Sequence, residues 1–206
     1  MKGCVKMKEL YFMRHSQAIK TININNSDSL QLQNEKWCLT ADGEKLAKEK
    51  SQLPELQNFD VVISSNYVRA MDTAKYFTNE KIYIDEGFGE RKFGVDSWDE
   101  LPENFGSKQF NDFNYKTKNG ESLNEVLERE ICSLNNILNN MNNKKVLIVG
   151  HSTAGATLLS KWCEIHEKAP YKFNNKEFFD GNWNHCETFK LTFNEDNELI
   201  DIINVR

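Results

Sequence analysis

Blocks of apolar residues, each closed by a polar loop, recur along the chain and predict strand–helix units. Glu9-Leu10-Tyr11-Phe12-Met13 is apolar, rich in strand formers and followed at once by Arg14-His15-Ser16-Gln17, the pattern of a buried strand ending in a loop. The stretch through Asn23, Asn25, Asn26, Ser27 and Asp28 is polar and aperiodic and predicts surface loop up to Leu39. Thr40 is a candidate N-cap, with Asp42 and Glu44 in the first turn and Leu46 on an apolar face, so the first helix is expected there. Residues 60–65, Asp-Val-Val-Ile-Ser-Ser, predict a second strand, and Val68, Met71, Ala74 and Phe77 continue at helical spacing. Residues 81–85 form a third candidate strand, after which Gly87, Gly89 and Gly94 mark irregular chain.

Residues 96–119 hold Pro102 and several aromatics without a period, and are expected to form a lid-like insertion at about 95–119. Ser122 is placed to cap a long amphipathic helix through Val126, Ile131, Leu134 and Leu138. Residues 145–150, Lys-Val-Leu-Ile-Val-Gly, give the strongest buried-strand signal, and His151-Ser152-Thr153 leads into a small-residue helix over 154–162. Residues 186–193 and 199–205 read as two strands joined by the turn Asn194-Glu195-Asp196-Asn197. Alternating strands and helices imply an α/β fold, a three-layer α/β/α sandwich whose mostly parallel sheet has an antiparallel edge. Ligands of such sheets bind at the strands' carboxyl ends. Arg14-His15, Ser64-Ser65 with Arg69 beyond, and His151-Ser152 are therefore expected to converge.

Composition narrows the classes. A length of 206 residues suits one domain spanning 1–206. The net charge of −5 argues against a nucleic-acid partner, whose phosphates call for a concentrated basic surface. No apolar run approaches the roughly 20 residues of a membrane span, and Arg14 and His15 interrupt any secretory signal, so no membrane partner and no export are expected. Five cysteines, Cys4, Cys38, Cys132, Cys163 and Cys186, without a Cys-x-x-Cys pair read as free thiols in a reducing cytosol. Cys163 and His166 are the only Cys–His pair with two residues between them and no second pair of that spacing follows, so no metal site is expected.

Two arginines and two histidines at strand ends suit a tetrahedral dianion, because guanidinium groups meet phosphate oxygens with paired hydrogen bonds. Helix N-termini after His151 and before Arg69 add backbone donors. A neutral imidazole among these cations can attack phosphorus.

In these residues the chain resembles the histidine phosphatase, or phosphoglycerate mutase-like, superfamily. Phe12-Met13-Arg14-His15-Ser16-Gln17 is similar to its Arg-His-Gly signature, Leu39-Thr40-Ala41-Asp42-Gly43 to its Leu-Thr-x-x-Gly, and Ser64-Ser65 through Arg69-Ala70 and Thr73-Ala74 to its Ser-x-x-x-Arg-Ala-x-x-Thr-Ala. Glu90-Arg91-Lys92-Phe93-Gly94 resembles the segment bearing the acid, Asn119-Gly120-Glu121-Ser122 the Gly-Glu-Ser helix start, and Val149-Gly150-His151-Ser152 the second histidine.

The resemblance implies a cofactor-independent ping-pong phosphatase in which His15 takes the phosphoryl group, Arg14, Arg69 and His151 hold its oxygens, and Glu90 acts as acid and then base. Glu86 competes for that last role, but only Glu90 has the family's glycine four residues on, Gly94. Ser16 and Gln17 replace the usual glycine and glutamate, Thr21 the mutases' asparagine and Ser152 a glycine, so all four are candidate substrate contacts. Arg91, His166 and His185 are read as structural or surface residues, and Trp98, Phe105, Phe110 and Phe113 as packing for the insertion.

The implied substrate is a phosphorylated small molecule, with a phosphoprotein as the alternative, for a cytoplasmic monomer or homodimer. A phosphoglycerate mutase is disfavoured because residues 95–119 lack arginine and carry only Lys108, Lys116 and Lys118 as cations. A protein phosphohistidine phosphatase is a variant reading, suggested by Met13-Arg14-His15 with Ala18, although that subgroup generally lacks the glutamate segment. A non-catalytic phosphate-binding protein is the third, against which His15 and Glu90 stand.

Overall fold

A computed structural model describes residues 7–19, 28–140, 144–165 and 169–206. Its six-stranded sheet comprises β1 (Lys8–Arg14), β2 (Val61–Ser64), β3 (Ile82–Ile84), β4 (Lys145–Gly150), β7 (Thr188–Phe193) and β8 (Leu199–Val205), in the order β3-β2-β4-β1-β7-β8. β3, β2, β4 and β1 run parallel, while β7 and β8 are antiparallel. In register, Arg14 pairs with Gly150 and Ser64 with Val149, so the first, second and fourth strands end on one line.

Alternation along the strands sends side chains into two cores. Leu10, Phe12, Ile63, Val146 and Ile148 pack with Leu134 and Leu138 of α5 (Leu123–Asn140) and Leu158 and Leu159 of α6 (Ser152–Leu159). Tyr11, Met13, Val62, Leu147 and Val149 pack on the opposite face with Ala47 of α2 (Ala41–Lys50) and Ala70 and Ala74 of α3 (Val68–Ala74). The expected three-layer sandwich follows from this division.

Thr40 caps α2 as anticipated, accepting from the Gly43 N–H at 2.8 Å. Ser122 and Glu125 form a reciprocal capping box at the start of α5: the Glu125 N–H donates to Ser122 Oγ at 3.2 Å, and the Ser122 N–H to Glu125 Oε2 at 2.8 Å. One buried charged position of α5 breaks the pattern, since Glu130 lies between Val126 and Leu134 on the apolar stripe.

Two elements depart from the expectation. The supposed loop before Leu39 contains the helix α1 (Leu30–Lys36), capped by Ser29 and burying Leu30 and Asn34. Its one-turn apolar signal is too short to register as a period. A hairpin of β5 (Tyr171–Phe173) and β6 (Lys176–Phe179) turns at Asn174-Asn175, both with positive φ, the geometry of a two-residue turn. Residues 95–119 carry a short 3-10 turn at Trp98–Glu100 and α4 (Phe105–Asn111). Phe105 anchors a small cluster with Leu30 and Phe93, whereas Phe110 and Phe113 pack on the main core.

Candidate active site

His15 follows β1 directly and is fixed through its backbone, its N–H donating to Gly150 O at 2.9 Å across the strand ends. Its ring is oriented by a hydrogen bond of 2.6 Å from Nδ1 to Ser16 O. A carbonyl only accepts, so Nδ1 carries the proton and Nε2 presents a lone pair. That lone pair accepts from Arg69 Nε at 3.0 Å. Burial, then the Arg69 charge, push the His15 pKa well below its usual value near 6.5 and keep the ring neutral.

Arg69 sits in the first turn of α3. Nη1 donates to Asn34 O at 2.6 Å and Nη2 meets His151 Nδ1 at 3.2 Å. Since guanidinium only donates, His151 accepts at Nδ1, and its Nε2 faces Ser65 Oγ at 2.8 Å. Burial first, and Arg69 second, hold His151 neutral as well. The two imidazoles lie 5.2 Å apart. His151 is fully buried, one residue before α6, whose first residues Ser152 and Thr153 line the cavity above.

That cavity, of about 300 Å³, is lined by Arg14, His15, Arg69, Glu90, Arg91 and Thr153, together with Trp37, Phe93 and Trp98. Arg14 donates through Nη1 to Trp183 O, while its buried Nε has no partner in the protein. Glu90 Oε1 accepts from the Arg91 N–H at 2.9 Å and pairs with Arg91 Nη1 at 3.3 Å. Arg91 Nη1 also donates to Thr153 Oγ1. Glu86 is exposed and does not line the cavity, whereas Glu90 does.

Two motif glycines explain their own presence. A Cβ on Gly43 would stand 2.1 Å from Gln17 O, where the start of α2 presses on the loop after His15. Gly94 has φ +64° and lies against Gly120, where a Cβ would meet the Gly120 nitrogen at 2.0 Å. The segment around Glu90 is further held by Glu121, which accepts from the Lys92 N–H at 2.8 Å and pairs with Arg129 at 3.1 Å. Arg129 in turn donates to Gly87 O at 2.7 Å and Glu90 O at 3.3 Å.

A family model of the histidine phosphatase superfamily (branch 1) matches residues 10–202. The chain belongs to that superfamily. A curated relative, the uncharacterised phosphatase PhoE of Bacillus subtilis (strain 168), is 32% identical over 127 residues; the match spans 60% of this chain and 63% of that protein, less than two thirds of its length. Among solved structures, mycobacterial glucosyl-3-phosphoglycerate phosphatase superposes with a TM-score of 0.69 at 17% identity, covering 97% of each chain. A phosphoserine phosphatase variant of Entamoeba histolytica gives 0.66 at 18%, covering 94% of this chain and 95% of that one. At these identities the likeness concerns the fold.

Within the superfamily's site this chain shows several departures from the sequence reading. Ser16, Gln17 and His151 do not line the cavity, and His151, expected to hold phosphate oxygens, is fully buried and meets Arg69 Nη2 instead. The Ser16 hydroxyl is buried and donates to Gly43 O at 2.7 Å, because the loop is drawn onto α2, and Gln17 is exposed with its amide oxygen accepting from Thr40. Ser152 does line it, and Thr21 lies outside the described residues. Arg91, His185 and Trp98, expected at the surface or in packing, all face the cavity. Arg91 could have been suspected from its place beside Glu90; nothing local in the sequence pointed to Trp37, Thr153 or His185.

Proposed function

We propose that the chain is a phosphatase that hydrolyses phosphate monoesters through a phosphohistidine formed at His15 Nε2. The observation carrying this is a neutral imidazole in the lining of a cavity that also holds two arginines beside it and a carboxylate, Glu90. Phosphate oxygens take the donors of Arg69 and the unpartnered Nε of Arg14, which releases His15 Nε2 to attack. As the N–P bond forms, the ester P–O bond breaks and its oxygen receives a proton from Glu90. Water then attacks phosphorus, gives a proton to Glu90 and restores the free imidazole. His151 acts from beneath, its Nδ1 orienting Arg69. Every step is assigned to side chains of this chain.

The substrate is read as a phosphorylated small molecule, since a cavity of about 300 Å³ is of the size that takes small-molecule ligands. The described cysteines, Cys38, Cys132, Cys163 and Cys186, are free, which supports a reducing compartment such as the cytoplasm. Among the described residues no helix is long and apolar enough to cross a membrane. The test is turnover of p-nitrophenyl phosphate: His15→Ala should lower kcat by about a thousandfold or more, and equal turnover by the variant would overturn the assignment.

A further inference from the structure

An unbroken chain of aromatic contacts walls the cavity, and the proposed chemistry makes no use of it. Arg69 Cζ lies 5.7 Å from the Trp37 ring centroid. Trp37 stacks on Trp98, with centroids 5.8 Å apart and 26° between planes. Trp98 meets Phe93 edge-on at 5.0 Å, and Phe93 carries the Arg91 guanidinium at 4.9 Å. All five side chains line the cavity. The wall runs from the arginine beside His15 to the Arg91–Glu90 pair, along the path on which a leaving group must lie.

Trp98 is the unusual member. It is 43% exposed, whereas Trp37 and Phe93 are buried. It touches the cluster that anchors the insertion, Leu30, Phe93 and Phe105, only from outside, edge-on against Phe93. A large indole surface left in water at the edge of a polar cavity favours covering by an apolar ligand.

Charge adds a second condition. Arg14, Arg69 and Arg91 face one carboxylate, Glu90, and burial keeps His15 and the nearby His185 uncharged. The surplus of two positive charges matches a phosphate dianion. Arg91 is paired through Nη1 with Glu90 and Thr153, which offsets its charge, although its buried Nε has no partner. With the surplus matched by the phosphate, the described lining residues carry no further net positive charge for a carboxylate or second phosphate on the leaving group, and burying such a charge unbalanced is costly.

We infer that the site takes phosphate monoesters of uncharged alcohols bearing a planar apolar ring, and that Trp98 is the residue that recognises the ring. This rests on the phosphatase reading above. The experiment compares 3-phenylpropyl phosphate with propyl phosphate, whose leaving alcohols are of similar acidity, so that the ratio of kcat/KM reports recognition rather than ease of departure. A carboxylate-bearing ester, 3-phosphooxypropanoate, forms the third arm and p-nitrophenyl phosphate the control for chemistry. The ring ester should be preferred over the propyl ester by about tenfold, and the carboxylate ester should be the poorest of the three. Trp98→Ala should collapse the preference mainly through KM, and Trp98→Phe should restore most of it, an asymmetry that a merely structural role would not produce. A wild-type ratio near one, equal losses on both alkyl esters in Trp98→Ala, or preference for the carboxylate ester would each overturn the inference. Turnover of p-nitrophenyl phosphate with a ratio near one leaves the phosphatase reading standing and removes only the ring specificity; no turnover of any ester removes both.

Discussion

At the scale of single residues, Arg69 has every nitrogen engaged before any phosphate arrives, by His15, Asn34 and His151. Each terminal nitrogen keeps a second N–H for a phosphate oxygen, and in the proposed mechanism a phosphate that also takes Nε frees the His15 lone pair, coupling substrate binding to exposure of the nucleophile. Lysine offers a point charge without the planar fork, so Arg69→Lys should lower kcat/KM by about a hundredfold in a steady-state assay. Arg69 is also the second-largest cause, after burial, of the depressed His15 pKa. The wild type should therefore hold its kcat/KM as pH falls from 8 to about 6.5, the usual imidazole pKa. Arg69→Gln should move the acid limb of the residual activity to higher pH. A limb that stays in place would show that Arg69 does not set the nucleophile's protonation. Glu90→Gln should slow alkyl esters far more than aryl esters, because only the former need a proton delivered to the leaving oxygen; equal slowing would remove Glu90 as the acid.

At the scale of elements, the segment around Glu90 has no regular structure and is held by its neighbours. Glu121 and Arg129 clamp its backbone, and Gly94 passes Gly120 at a distance no side chain permits. Arg129→Ala should therefore lower kcat on alkyl phosphates about tenfold while leaving the yield of phosphohistidine from p-nitrophenyl phosphate intact. Gly94→Ala combines positive φ with a backbone collision and should cost about 2 kcal/mol or more in urea unfolding. Elements of this kind divide what the sequence revealed from what it did not. β1, β2, β4 and the starts of α2 and α5 carry full apolar periods and caps, and the structure has them where the pattern puts them. α1 has one turn of signal and β5 and β6 have three and four residues, below the length at which a period can be told from chance. The nucleophile loop was legible as a motif, but the direction of the Ser16 side chain depends on the contact with Gly43, which only the fold creates. For the same reason Trp37, Thr153 and His185, from three separate segments, reach the cavity without any local mark.

At the scale of the whole molecule, the parallel strands end in register, so His15, Ser65 and His151 reach one edge with apolar cores on both sides of the sheet. Placing two histidines in that position ties stability to pH. Both have folded pKa values well below 6.5, so below that pH the unfolded chain binds more protons and stability should fall as the solution is acidified. Glu130 acts in the opposite sense. Fully buried on the apolar stripe of α5 with neither oxygen hydrogen-bonded, its carboxyl is held well above the usual 4.5, so stability is lost as pH rises from about there through its folded pKa. Glu130→Leu should raise stability by about 1 kcal/mol or more at pH 7.5 and by little at pH 4.5; a variant less stable than wild type at pH 7.5 would mean that the carboxyl has a partner. In the proposed mechanism the sheet edge presents one imidazole nitrogen to phosphorus. With p-nitrophenyl phosphate the leaving group departs easily, so hydrolysis of the phosphoenzyme should limit turnover and the intermediate should accumulate. Alkaline quenching in the steady state, followed by peptide mapping and phosphorus NMR, should find the phosphoryl group on His15 at Nε2, since Nδ1 is bonded to Ser16 O. A phosphoryl group on His151 or at Nδ1, or a His15 left unmodified while turnover proceeds, would contradict the account.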